Sequence, residues 1–132
     1  MAQEKNFENR VKRYLESKGI YALGTPRNKM TVPPIGYWEK RWGGGSFTKS
    51  GLPDMHIVVK GKSIDVELKA PKGKPSELQL FTIDQINTCG GCAMVLYPKD
   101  FDEFKNLIER LIIWNIVIVE LNAMKDVLTN MI

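Results

Sequence analysis

The sequence predicts an α/β domain with a mixed central sheet flanked by helices, and three observations carry that expectation. Met55-His56-Ile57-Val58-Val59 and Ser63-Ile64-Asp65-Val66-Glu67-Leu68-Lys69 are β-rich runs separated by the short link Lys60-Gly61-Lys62, which reads as an antiparallel hairpin. A helical pattern over residues 76–88 then separates this hairpin from a further apolar run, residues 92–97. Strand, helix and strand in that order make a crossover whose last strand lies parallel to the one before it. Upstream, Phe7, Val11, Tyr14 and Leu15 fall on one face of a helix over residues 4–18.

Taken in order, the first helix stops at Gly19, which suits a left-handed C-terminal position. Ile20-Tyr21-Ala22-Leu23 reads as a short strand. Residues 24–50 show no clear periodicity. They hold Pro26, Pro33, Pro34, Gly36 and the run Gly43-Gly44-Gly45, so they read as one long loop. That loop interleaves Arg27, Lys29, Lys40, Arg41 and Lys49 with Tyr37, Trp38, Trp42 and Phe47. Aromatic rings among basic residues suit stacking on bases and neutralising a phosphate backbone; the bland alternative is that the rings pin the loop to the core.

After the hairpin, Ala70-Pro71-Lys72-Gly73-Lys74-Pro75 is a basic, broken loop, and Ser76 is an N-cap candidate with Glu77 and Gln79 in the first turn. Gly90-Gly91 ends that helix. Cys89 and Cys92 flank the pair, and with no second cysteine pair they read as thiols in a helix-ending turn. Asp100 or Asp102 caps a further helix carrying Phe101, Phe104, Leu107, Ile108 and Leu111. Residues 112–119 are apolar and rich in β-branched side chains, which predicts a strand, and residues 123–131 a short final helix. The expected order is therefore helix, three strands, helix, strand, helix, with a C-terminal extension over 111–132.

At 132 residues the chain is expected to be one domain, 1–132. No signal-peptide or membrane-spanning pattern is present in the sequence, so a reduced, cytoplasmic setting is the expectation. The net charge of +4 hides an asymmetry. Residues 1–75 hold 15 Lys and Arg against 7 Asp and Glu, whereas residues 76–132 hold 4 against 8. A basic half suits a polyanionic partner, since phosphate neutralisation supplies most non-specific affinity for nucleic acid.

The chemistry sits in the basic half. The turn Gly51-Leu52-Pro53-Asp54 delivers an aspartate to one strand of the hairpin. On the other strand, alternation puts Asp65, Glu67 and Lys69 on the face opposite Ile64, Val66 and Leu68. Two acids and a lysine meeting there can hold a hard divalent cation and a water. By the same alternation His56 lies on the Asp54 face, where it can touch phosphate or serve a structural role.

These residues resemble a known pattern. Pro53-Asp54 followed by Glu67-Leu68-Lys69 is similar to the PD-(D/E)xK nuclease signature. Ser50-Gly51-Leu52-Pro53-Asp54, Glu67-Leu68-Lys69-Ala70-Pro71 and Ser76-Glu77-Leu78-Gln79 resemble more narrowly the virus-type replication-repair nuclease (VRR-NUC) domain. Small phage members of that family begin with a glutamate-bearing helix, matched here by Glu8. The resemblance covers about residues 4 to 110. It implies a restriction-endonuclease-like core and metal-dependent hydrolysis of DNA phosphodiester bonds, in replication and repair or at branched junctions. Asp54 and Glu67 then bind magnesium or manganese, with the Leu68 carbonyl as a further ligand and Glu8 completing the shell through water. Lys69 positions the water and Gln79 orients it, although a first-turn glutamine is also a common capping partner. Arg27, Lys29, Lys40, Arg41, Lys49, Lys72 and Lys74 are the expected DNA contacts.

Two rivals come from other classes: a DNA-binding module that keeps the fold without chemistry, and a structural oligomer whose basic loop is incidental. A homodimer is expected in the first reading as well, with the apolar tail strand pairing to its twin at a sheet edge.

Overall fold

The computed structural model describes residues 2–41 and 51–131. Helix α1 (Ala2–Ser17) leads into β1 (Ile20–Ala22), β2 (Gly36–Lys40), β3 (Met55–Val59) and β4 (Lys62–Leu68). These are followed by α2 (Glu77–Thr88), β5 (Ala93–Leu96) and α3 (Phe101–Asn130), with single 3-10 turns at Arg27–Lys29 and Pro98–Asp100. The five strands form one mixed sheet in the order β1-β2-β3-β4-β5. β1 and β2 are parallel, β2 with β3 and β3 with β4 are antiparallel, and β4 and β5 are parallel. The hairpin and the β4–α2–β5 crossover are as the sequence predicts.

The β3–β4 link is tighter than the three residues suggested. Val59 pairs with Lys62, leaving Lys60 and Gly61 as a two-residue turn. Both have positive φ, at 50° and 85°, as a turn matched to strand twist requires.

One face of the sheet is the core. Trp38, Met55, Ile57, Val59, Ile64, Val66, Leu68 and Leu96 are buried together with Phe7, Val11 and Leu15 of α1 and Phe101, Phe104 and Ile108 of α3. The two helices meet over it. The Phe7 and Phe101 rings are edge-on at 5.6 Å, and the Tyr14 hydroxyl donates to the Lys105 carbonyl at 3.2 Å. Lys18 pairs with Glu109 at 2.6 Å. No residue of α2 belongs to this cluster; Ile83 is its one buried side chain.

Two expectations are corrected. First, residues 24–50 are not one loop, because β2 runs through them between β1 and β3. Its signal is short: Tyr37 and Glu39 alternate with a buried Trp38, behind the breakers Pro33, Pro34 and Gly36. Four strands therefore precede α2, not three. Second, residues 112–119 are not a strand. α3 continues without a break from Phe101 to Asn130, 30 residues in all, so the expected strand-to-strand pairing of the tail has no basis. The β-branched run Ile116-Val117-Ile118-Val119 is helical because it extends a helix already nucleated and anchored by Phe101, Phe104 and Ile108. Among the described residues no helix is long and apolar enough to cross a membrane.

Candidate active site

The site lies on the sheet face opposite the core, and the strand register builds it. Glu39, His56, Asp65 and Ala93 occupy one cross-strand row of that face. The next row, one step beyond Met55 and Val66, is Arg41, Asp54, Glu67 and Val95. Arg41 N–H donates to the Asp54 carbonyl at 2.6 Å, which extends the β2–β3 pairing into the turn. Alternation then places Asp54, His56, Asp65 and Glu67 on a single face.

The turn that presents Asp54 is built for close packing. Gly51 has φ +83°, and a Cβ there would stand 2.5 Å from Leu78 Cγ on α2. Only glycine combines that backbone with that contact. Asp54 is then tied across to β4, where the Leu68 N–H donates to its Oδ2 at 3.1 Å.

Glu67 is the focus. It is 1% exposed. Lys69 Nζ is 3.3 Å from its Oε2, while no donor among the described residues faces its buried Oε1. Burial, first, and then the charge and hydrogen bond of Asp54 push its carboxyl up to about 7, against a smaller lowering by Lys69. Two carboxylates pressed together in a buried place repel when both are ionised. A bound cation would relieve that repulsion. Among the described residues no group of three or more His, Cys, Asp or Glu gathers as a metal site. Magnesium, however, is commonly held by one or two carboxylates and keeps several waters, so the donor set of Asp54 and Glu67 fits it.

Beside this pair runs a second polar cluster that sequence reasoning did not assemble. His56 Nδ1 lies 2.8 Å from Asp65 Oδ1, and Arg41 Nη1 donates to the same oxygen at 3.0 Å. Asp65 is buried and also raises the Cys92 thiol, after burial itself. The signal was in the alternation, which puts Asp65 on the Glu67 face, but its two partners come from β3 and from the end of β2, the strand that was not anticipated.

The chain matches no protein-family model and no curated protein sequence. The site is therefore read from its own chemistry.

The structure brings Asp54, Glu67 and Lys69 together and leaves other expected members elsewhere. Glu8 is buried, but its partners are lysines: Lys5 at 2.8 Å and Lys12 at 2.9 Å on Oε2, and Lys40 on Oε1. Burial pushes its carboxyl up, and the hydrogen bonds from Lys40, Lys5 and Lys12 outweigh this and hold it at about 2. Lys40 pairs in register with Met55, on the core face, so Glu8 sits on the α1 side of the sheet and not with Glu67. Gln79 is a capping residue. Its Oε1 accepts from Ser76 N–H at 2.8 Å, and its own N–H donates to Ser76 Oγ at 3.1 Å. Leu68 stays beside Asp54, its N–H donating to Asp54 Oδ2.

The expected DNA-contacting residues divide. Lys40 and Arg41 are half-buried and held by Glu8 and Asp65. Arg27 and Lys29 are exposed on their 3-10 turn, and Lys72 and Lys74 are exposed on the loop that leaves Lys69. That loop is pinned by the Tyr97 hydroxyl, which donates to the Gly73 carbonyl at 2.9 Å. Lys49, Trp42 and Phe47 lie outside the described residues.

Proposed function

We propose that this chain is a divalent-metal-dependent DNA endonuclease of the VRR-NUC type on a restriction-endonuclease-like core, hydrolysing phosphodiester bonds in branched or otherwise structured DNA. The observation that carries the reading is Glu67: a buried carboxylate pressed against Asp54, with one oxygen that no donor among the described residues faces. A structural ion pair has no need of a second acid beside the first, whereas a cation site does. Asp54 and Glu67 are the residues that hold magnesium or manganese, with the Leu68 carbonyl as the adjoining backbone donor. When bound, such an ion polarises the phosphate and lowers the pKa of its water.

The chain's own groups do the rest. Lys69, 3.3 Å from Glu67, keeps an ammonium beside the reacting phosphate, where it can orient a water or balance phosphate charge. Asp65 holds His56 by Nδ1, which leaves Nε2 as the ring nitrogen for a phosphate oxygen or a water. Exposed Lys72 and Lys74 follow the site strand directly and suit the flanking backbone. Glu8 and Gln79 have structural roles in this reading, as the anchor of a lysine cluster and the cap of α2.

The test is a cleavage panel of junction, flap, nicked and linear duplex DNAs with magnesium or manganese, and with chelator. Metal-dependent, chelator-sensitive cleavage of a branched substrate is expected. DNA binding without cleavage in any arm supports the rival binding module, and absence of DNA binding at any salt concentration supports the structural oligomer.

A further inference from the structure

α3 is 30 residues long, which at 1.5 Å per residue is about 45 Å. The body uses only its first third, through Phe101, Phe104 and Ile108, with Leu107, Leu111 and Ile112 partly covered. Beyond Ile112 the helix keeps an apolar sequence and loses most of its cover, although Asn115, Ile116, Val119 and Glu120 still border a groove shared with Lys60 of the β3–β4 turn. Trp114, Val117, Leu121, Met124, Leu128 and Met131 are each between 38% and 77% exposed.

Ile113, Ile116, Ile118, Val119 and Val127 are exposed as well, but the first six alone form a continuous stripe to the helix end. The steps are three, four, three, four and three residues, an unbroken alternation of a and d positions. At 100° per residue this stripe lies roughly opposite the side that carries Phe101, Phe104 and Ile108, so the body cannot cover it. A shallow groove lined by Arg110, Leu111, Ile113, Trp114 and Val117 opens where the stripe begins.

The charges follow the same frame. With Trp114 at a, Glu120 falls at g and Lys125 at the e position of the next heptad. Those are the two positions that face each other between chains of a parallel coil, so two copies make the pair Glu120–Lys125 twice. In an antiparallel coil g meets g and e meets e, so the Glu120–Lys125 pair is not made.

We propose that the C-terminal half of α3 is a self-association element that forms a parallel coiled coil with another copy of this chain. The occupant is a second copy because the face is both heptad-spaced and charge-complementary to itself. A membrane surface fits poorly: beyond Ile112 the described helix offers Lys125 alone against Glu120 and Asp126, whereas interfacial helices carry a Lys/Arg-rich polar face. The helix also needs a partner. Ile116-Val117-Ile118-Val119 is a poor helix former, and a helical segment of this length is marginal in water without packing. Leu121 and Leu128 at a with Val117 and Met124 at d also tolerate more than two strands, and the number is read from the mass. This inference stands on α3 alone, and it survives or fails independently of the nuclease reading.

Light scattering of the full chain at micromolar concentration is expected to give at least twice the chain mass of 15.0 kDa. Leu121→Lys with Leu128→Lys, at positions the body does not touch, is expected to return it to the chain mass with the melting of the α/β body unchanged. Glu120→Lys is expected to weaken association at least tenfold, and Glu120→Lys with Lys125→Glu to restore it. A full chain that stays at 15.0 kDa overturns the proposal, and so does a multimer that the Leu121 and Leu128 changes leave intact. A multimer that Glu120→Lys strengthens overturns the parallel arrangement.

Discussion

Two buried glutamates have opposite electrostatic fates, and the difference is testable with pH. Glu67 is raised from 4.5 to about 7, so the folded protein holds a proton that the unfolded chain has lost. Its contribution to stability is therefore full below about pH 4.5 and falls as pH rises towards 7. Above that the metal-free protein carries the full cost of an ionised, buried carboxylate beside a second acid. Glu67→Gln removes the cost. Its metal-free melting temperature at pH 8 should exceed that of the unmodified protein, and magnesium should stabilise only the unmodified protein. Thermal unfolding in chelator across pH 5–8 checks this; the same pH slope in both proteins contradicts it. Glu8 runs the other way. Lowered from 4.5 to about 2, it contributes above about pH 4.5 and loses that contribution as pH falls through 2. Glu8→Gln is expected to cost about 1–3 kcal/mol at pH 7 by breaking charge-assisted hydrogen bonds in a buried place, with turnover per folded molecule retained. Loss of turnover at full stability would return Glu8 to the site.

At the scale of elements, α2 is set on the Asp54 turn by its first turn. Gln79→Ala removes one half of a capping box and is expected to lower stability by about 1 kcal/mol, with cleavage falling no more than that. A turnover loss of a hundredfold would give Gln79 a role beyond the cap. Gly51→Ala meets both a positive φ and Leu78, so it should cost more than the cap does and displace Asp54 as well, measured as lost stability together with weakened metal binding. The hairpin, α2, β5 and the Asp54–Glu67–Lys69 grouping were legible because period and turn chemistry agree there. Alternation along residues 63–69 fixes which side chains share a face, and the two-residue turn Lys60-Gly61 fixes the hairpin register. β2 was hidden because it is only five residues long, begins on Gly36 and closely follows Pro33 and Pro34, and its pairing with β3 is invisible to local pattern. The tail suggests a strand because the composition of residues 112–119 is β-branched, whereas the three–four spacing of Trp114 to Met131, which names a helix, extends well past that run. Glu8 was assigned by resemblance, and resemblance could not tell which face of the sheet Lys40 would draw it to.

For the molecule as a whole, part of the positive charge of the basic half is taken up by ion pairs with the chain's own acids. Lys5, Lys12 and Lys40 surround Glu8, and Arg41 serves Asp65. The exposed Lys72 and Lys74, next to Lys69, are therefore the better candidates for phosphate contact. Replacing both with Ala should reduce the salt slope of DNA binding by up to about 2, since each phosphate contact contributes about 0.9. An unchanged slope would place the DNA elsewhere. The central claim, that Asp54 and Glu67 form a cation-dependent cleavage centre, is tested most directly by single-turnover cleavage of a branched DNA in magnesium by the unmodified chain, Asp54→Asn and Glu67→Gln, each first shown to be folded. The account predicts chelator-sensitive cleavage by the unmodified chain and a loss of about 100-fold or more in both variants. Cleavage by either variant at the unmodified rate would contradict it.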